Sequence, residues 1–143
     1  MKPFDFYNPT RIIFGTGTFA RLGKEAARYG KKALLVKAAG PLAKMGVYAK
    51  AETLLSEAGA QVVALEGVAA NPKLSSVREG IKLCQQQKLE VVVAVGGGSA
   101  IDCAKAIAVG AVDEGDVWDF FTGKRAAAKA LPIGAVSTLA ATG

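Results

Sequence analysis

The sequence predicts an α/β fold built on a doubly wound, mostly parallel sheet, and three observations carry that prediction. The runs Ala33-Leu34-Leu35-Val36 and Val91-Val92-Val93-Ala94-Val95 are apolar throughout, which marks strands covered on both faces rather than on one. Helical patterns of about 10–18 residues separate successive strands, a spacing that demands crossover connections and a parallel sheet. Glycine-rich breaks, Gly40-Pro41 and Gly96-Gly97-Gly98, follow the apolar runs where strands must turn into helices.

Taken in order, Phe4–Tyr7 and Arg11–Phe14 flank the turn residues Asn8-Pro9, a pattern that predicts an N-terminal β-hairpin. Thr18 is a good N-cap, and Phe19, Leu22 and Ala26 repeat at helical spacing behind it. The strand Ala33–Val36 then leads through Gly40-Pro41 to a helical stretch that includes Leu54 and Leu55 and stops at Gly59. Gln61–Leu65 reads as the next strand. Asn71-Pro72 makes a turn, and Ser76-Val77-Arg78-Glu79 has the form of a capping box opening a helix with Val77, Ile81 and Cys84 on one face. Val91–Val95 must be central, because its β-branched residues leave no polar face for solvent. Beyond it come Gly96-Gly97-Gly98-Ser99, a helix with Ile101, Ala104 and Ala108 facing inward, a loop holding Trp118-Asp119-Phe120-Phe121, and a last strand Leu131–Val136.

Composition narrows the function classes. The 143 residues suit one domain, and 51% of them are hydrophobic, a globular balance. The net charge of +6 could mean nucleic acid, but the basic residues are scattered in pairs such as Lys31-Lys32 and Lys124-Arg125, with no aromatic interleaving. They read as a solvated surface, and no nucleic-acid partner is expected. No run reaches the roughly 18 apolar residues of a membrane span, and the N-terminus lacks the apolar core of a signal peptide, so a cytoplasmic protein with no membrane partner is expected. Cys84 and Cys103 lie in apolar helical stretches and read as buried thiols. Histidine is absent from the chain, so it cannot itself build a Ser-His-Asp or Cys-His site, and no catalytic or metal-ligating residue is assigned in it.

A parallel sheet binds its ligand beyond the carboxyl ends of its strands, which directs attention to Gly96-Gly97-Gly98-Ser99 after the central strand. Glycines let a backbone approach an oxyanion without Cβ in the way, and the helix behind them offers unpaired N–H groups. The alternative is a tight turn with Ser99 as N-cap and Asp102 completing the cap, and the two readings are compatible. A second motif, Gly15-Thr16-Gly17-Thr18-Phe19-Ala20, fits G-x-G-x-x-A but follows a hairpin rather than a buried strand, and is read as a decoy. The acid expected about 20 residues beyond such a motif, to hold the ribose 2′-hydroxyl of NAD, is replaced by Val36-Lys37-Ala38-Ala39. Lys37 would instead favour the 2′-phosphate of NADP, although a solvated lysine fits the sequence as well. Ser137, Thr138 and Thr142 place hydroxyls after the last strand, where they could meet a diphosphate or an amide.

At these residues the sequence resembles the iron-containing (class III) alcohol dehydrogenases, particularly their butanol dehydrogenase-like branch. The resemblance spans the whole chain and rests on Phe14–Gly17, Asn71-Pro72, the block Gly96–Ala108, Trp118–Gly123 and Thr138–Gly143. It implies a Rossmann-like cofactor domain and an oxidoreductase that moves hydride between NAD(P)H and an aldehyde or primary alcohol, with a divalent metal polarising the substrate oxygen. It further implies that Gly97, Gly98 and Ser99 contact the diphosphate, that Asp102 lies beside the cofactor, and that Thr138 and Thr142 flank it. The family holds iron or another divalent metal with an Asp and three His on a helical C-terminal domain. Residues 1–143 are accordingly expected to be the dinucleotide-binding domain alone, inactive by itself, with NADP preferred over NAD and a homo-oligomeric native state. Two other readings stand beside it: the cofactor domain of a glycerol dehydrogenase or dehydroquinate synthase-like enzyme, and a non-enzymatic nucleotide-binding module.

Overall fold

A computed structural model describes residues 3–139. Four strands, β1 (Lys32–Ala38), β2 (Gln61–Val68), β3 (Val91–Gly96) and β4 (Ile133–Ser137), form one sheet in the order β2-β1-β3-β4. All neighbours pair in parallel. Five helices connect or flank them: α1 (Leu22–Ala26), preceded by a 3₁₀ turn at Thr18–Arg21, α2 (Val47–Glu57), α3 (Leu74–Gln87), α4 (Gly98–Gly110) and the single turn α5 (Trp118–Phe121).

The two apolar runs occupy the sheet's two central positions, and alternate residues explain why they must. Leu34, Val36, Val92 and Ala94 pack against α3 and α4, through Val77, Cys84, Cys103, Ala104 and Ile107. Ala33, Leu35, Val91, Val93 and Val95 point to the other face and meet Ala26, Tyr48, Ala51 and Leu55 of α1 and α2. All four valines of β3 are at most 1% exposed. Each such side chain contributes about 1.5–3 kcal/mol relative to exposure, so β3 has no stable place except between two helical layers.

Several local expectations are corrected. The N-terminal hairpin does not form: residues 3–14 carry no strand, and Phe4, Phe6, Tyr7, Ile12 and Phe14 are 76–97% exposed. A two-stranded ribbon is marginal without a surface to cover, and most of the apolar side chains of this segment lie on none. Its only regular feature is the Asn8 side chain accepting from the Thr10 amide at 3.0 Å, while Arg11 reaches Glu25 of α1 at 3.2 Å. The capping box at Ser76 is not used either. The helix opens earlier, behind the extended Lys73, with no side-chain cap. Pro72 sets the chain direction there, and Leu74 packs against the core, so burial moves the start upstream of the sequence cap. Trp118–Phe121 is a helical turn rather than plain loop, with the Asp116 carboxylate accepting from the Trp118 amide at 2.8 Å.

Helix packing is close enough to demand glycine. A Cβ at Gly23 of α1 would fall almost onto the Leu54 carbonyl oxygen of α2, a backbone atom that cannot turn aside. Gly23→Ala should therefore destabilise the fold by about 2–3 kcal/mol, the upper part of the overpacking range, read as a lowered urea midpoint at unchanged m-value. Burial pushes both Cys84 and Cys103 thiols up to about 11 from their ordinary 9.0. The folded state binds the thiol proton more tightly than the unfolded chain, so this contribution is complete below about pH 9 and is lost as pH rises towards 11. At pH 8 neither thiol should react with a disulfide reagent until urea is added; prompt reaction of the folded protein would contradict their burial.

Candidate cofactor site

Strand order places the site. From β1 the chain runs outward to β2, and from β3 it runs the opposite way to β4, so the connections diverge at the carboxyl ends of β1 and β3. Such a divergence leaves a crevice between the two exits, the position where open parallel sheets take ligands. The exits are close: a Cβ on Gly96 would stand 3.4 Å from the Ala38 Cβ and 3.0 Å from that of Ala100. With a φ of +155° as well, position 96 excludes side chains on two counts.

The bend that follows differs in detail from the cap reading. Helix α4 begins at Gly98 behind an extended Gly97, and no side chain caps it. Ser99 lies inside the first turn, where its hydroxyl accepts from the Asn71 amide at 3.2 Å and ties this bend to the β2–α3 loop. Asp102 is not a cap: its carboxylate is exposed and stands 3.7 Å from Lys105. The Ala100 and Ile101 amides donate to the Gly97 carbonyl, and among the described residues those of Gly98 and Ser99 keep neither an intrahelical acceptor nor a side-chain cap. A Cβ on Gly98 would meet nothing within 4 Å, whereas one on Gly97 would stand 3.0 Å from the Leu139 side chain, so the turn is open at Gly98 and lined by Leu139 at Gly97.

The residue after β4 closes the other side. The Thr138 amide donates to the Gly96 carbonyl at 3.1 Å. Its hydroxyl is buried, and among the described residues it has no hydrogen-bond partner. A buried hydroxyl without a partner is costly unless a ligand satisfies it. The backbone of Thr138 is thus tied to Gly96, the residue just before the Gly97–Ser99 bend, while Asp102 lies one turn further along α4. Thr142 lies outside the described residues. The Gly15–Ala20 motif is not part of the crevice's strand exits; it follows no strand, and the Thr18 hydroxyl donates to the Gly15 carbonyl at 2.8 Å to close a turn.

Lys37 stands where neither sequence reading put it. It is buried rather than solvated, and its ammonium lies 2.6 Å from Glu52 of α2 and 2.7 Å from Glu66 of β2. Burial works to lower its pKa, but the hydrogen bonds to Glu52 and Glu66 outweigh it and hold the ammonium above its ordinary value. The charge argument for NADP is thereby corrected, since the cation that would have met a 2′-phosphate is already matched by two carboxylates. Tyr48 completes the cluster, its hydroxyl donating to the Ala38 carbonyl at 2.9 Å.

Beside Asp102 runs an open groove of about 380 Å³, walled by Ala106, Val109, Val117, Phe120 and Phe121. Its far wall is held by two ion pairs that the sequence did not announce, Arg78 with Asp116 at 2.8 Å and Arg125 with Asp113. Among the described residues no group of three or more His, Cys, Asp or Glu stands together as a metal site requires. Nor is any helix there long and apolar enough to cross a membrane.

Comparison with known proteins places the chain in a family. The chain is 50% identical, over its full length, to the probable NADH-dependent butanol dehydrogenase 2 of Bacillus subtilis (strain 168). It is 39% identical, again over its full length, to NADH-dependent butanol dehydrogenase A of Clostridium acetobutylicum. In both cases it spans 37% of the relative's length. The crystal structure of NADH-dependent butanol dehydrogenase A from Thermotoga maritima superposes with a TM-score of 0.94 at 44% identity, covering 99% of this chain and 36% of that one. The sequence profile of the iron-containing alcohol dehydrogenases matches residues 9–143. With the triple-glycine bend at the strand divergence and a family match over nearly all of its residues, the chain belongs to the iron-containing alcohol dehydrogenase family.

Proposed function

We propose that this chain is the part of an NADH-dependent alcohol dehydrogenase that holds the dinucleotide, and that the whole protein interconverts aldehydes and primary alcohols. The observation that carries the reading is the open Gly98 turn at the divergence of the β1 and β3 exits, with the neighbouring β4 exit holding a Thr138 hydroxyl that is buried and has no partner among the described residues. The amides of Gly97, Gly98 and Ser99 receive the diphosphate at the positive end of α4, where the two glycines have no Cβ to hold it off. Thr138 binds the cofactor from the other side, and Asp102 fixes its orientation at the mouth of the apolar groove. When bound, the nicotinamide supplies or accepts the hydride. The described residues do not fit a metal, and the role assigned to this chain is confined to binding and orienting the cofactor and keeping water from it.

NAD(H) replaces NADP as the proposed cofactor, because Lys37 is neutralised and the relatives named above carry NADH in their names. A cytoplasmic location is proposed on the two buried, unpaired thiols. The exposed aromatic N-terminal segment supports a homo-oligomer.

Trp118, the only tryptophan, lines a small recess together with Asp102 and Phe121, which makes it a built-in reporter. Titration with NADH should quench Trp118 emission and raise sensitised dinucleotide emission, and no change at millimolar NADH would refute the reading. Gly98→Val should weaken NADH binding by about tenfold or more, because it fills the space over the bend. Its thermal midpoint should stay close to that of the parent, since a Cβ at position 98 meets nothing within 4 Å.

A further inference from the structure

The Lys37 cluster has a consequence for which dinucleotide the crevice accepts, and this consequence rests on the dinucleotide reading above. Lys37 is the penultimate residue of β1, immediately before Ala38, whose Cβ faces the Gly96 bend. Glu52 and Glu66 come from α2 and β2, the two elements that flank this strand end, and both contact the same ammonium. Two carboxylates against one ammonium leave one net negative charge. The carboxylates are also the accessible part: the Lys37 side chain is 9% exposed, those of Glu52 and Glu66 41% and 68%. A ligand at the carboxyl end of β1 therefore meets acid rather than base. Tyr48 strengthens the arrangement, its ring 5.8 Å from the ammonium and its hydroxyl on the Ala38 carbonyl. The remaining cation of the β1–α2 connection is Lys44, an exposed side chain outside the cluster.

We infer that Glu52 and Glu66 are specificity-determining residues, which hold the Lys37 ammonium between them, keep the end of β1 negative, and so exclude the 2′-phosphate that distinguishes NADPH from NADH. The dinucleotides differ by that one anionic group, so a fixed negative charge beside the adenosine ribose discriminates between them without touching their shared parts. The sequence shows a lysine at this strand end, and the structure converts it into the centre of an acidic site.

The test is the affinity of the chain for NADH and for NADPH, read by energy transfer from Trp118 at low ionic strength. The parent should favour NADH. Glu66→Gln should raise the NADPH-to-NADH affinity ratio about threefold or more, and adding Glu52→Gln should raise it further. Lys37→Met breaks the same ion pairs but leaves two uncompensated carboxylates, so it should move the ratio the opposite way. Loosening of the fold alone would shift Glu66→Gln and Lys37→Met in the same direction. Added salt should compress all of these differences. Glu66 is exposed enough that Glu66→Gln and the charge reversal Glu66→Lys carry the test if Lys37→Met proves unstable, the reversal giving the larger rise. A ratio that stays within about twofold of the parent in the Glu66 variants, or a parent that favours NADPH, overturns the inference while the dinucleotide reading survives. A parent that binds neither dinucleotide overturns both.

Discussion

Strand β3 has no polar face, and that constraint organises everything around it. With Val91, Val93 and Val95 turned to one side and Val92 and Ala94 to the other, the strand is stable only where helices cover both faces of the sheet. Helices on both faces require crossovers, crossovers require parallel strands, and parallel strands deliver all their exits to one edge. The triple-glycine bend is the exit of that strand. Its place at the divergence of the connections follows from hydrophobic burial at the other end of the element, before any ligand is considered.

The edge so created is polar in a specific way. On one side, α4 begins at Gly98 with no Cβ and no side-chain cap, and Thr138 holds a buried hydroxyl without a partner among the described residues. On the other, the Lys37 ammonium is enclosed by Glu52 and Glu66. A diphosphate suits the first environment and an additional phosphate does not suit the second. On the proposed reading the same crevice attracts one anionic group and repels another, because backbone dipoles act at the exit of β3 and a net-negative side-chain cluster at the exit of β1.

Most of the topology could be read in advance because it rests on local pattern. The apolar runs, the helical spacing and the glycine breaks are each visible in a short window, and all four strands lie close to where those patterns fall. The elements that failed also share a cause. The N-terminal hairpin needed a surface to pack on, and Phe4, Phe6, Tyr7, Ile12 and Phe14 are left exposed. The caps at Ser76 and Ser99 were outweighed by tertiary contacts: Leu74 reaching the core in one helix, and the Ser99 hydroxyl accepting from Asn71 in the other. A cap contributes about 1 kcal/mol, and burial of a leucine contributes more.

What the sequence determined by itself was the fold class, the central position of Val91–Val95 and the presence of a glycine bend able to approach an anion, since these depend on residue type and spacing alone. Only the tertiary structure decided the electrostatics of the site. Lys37, Glu52 and Glu66 are separated by 15 and 14 residues, and no window of sequence reports that two carboxylates from different elements will meet one ammonium. Charge acts through distance in space, which the fold sets, whereas hydrophobic periodicity acts along the chain, where it can be read.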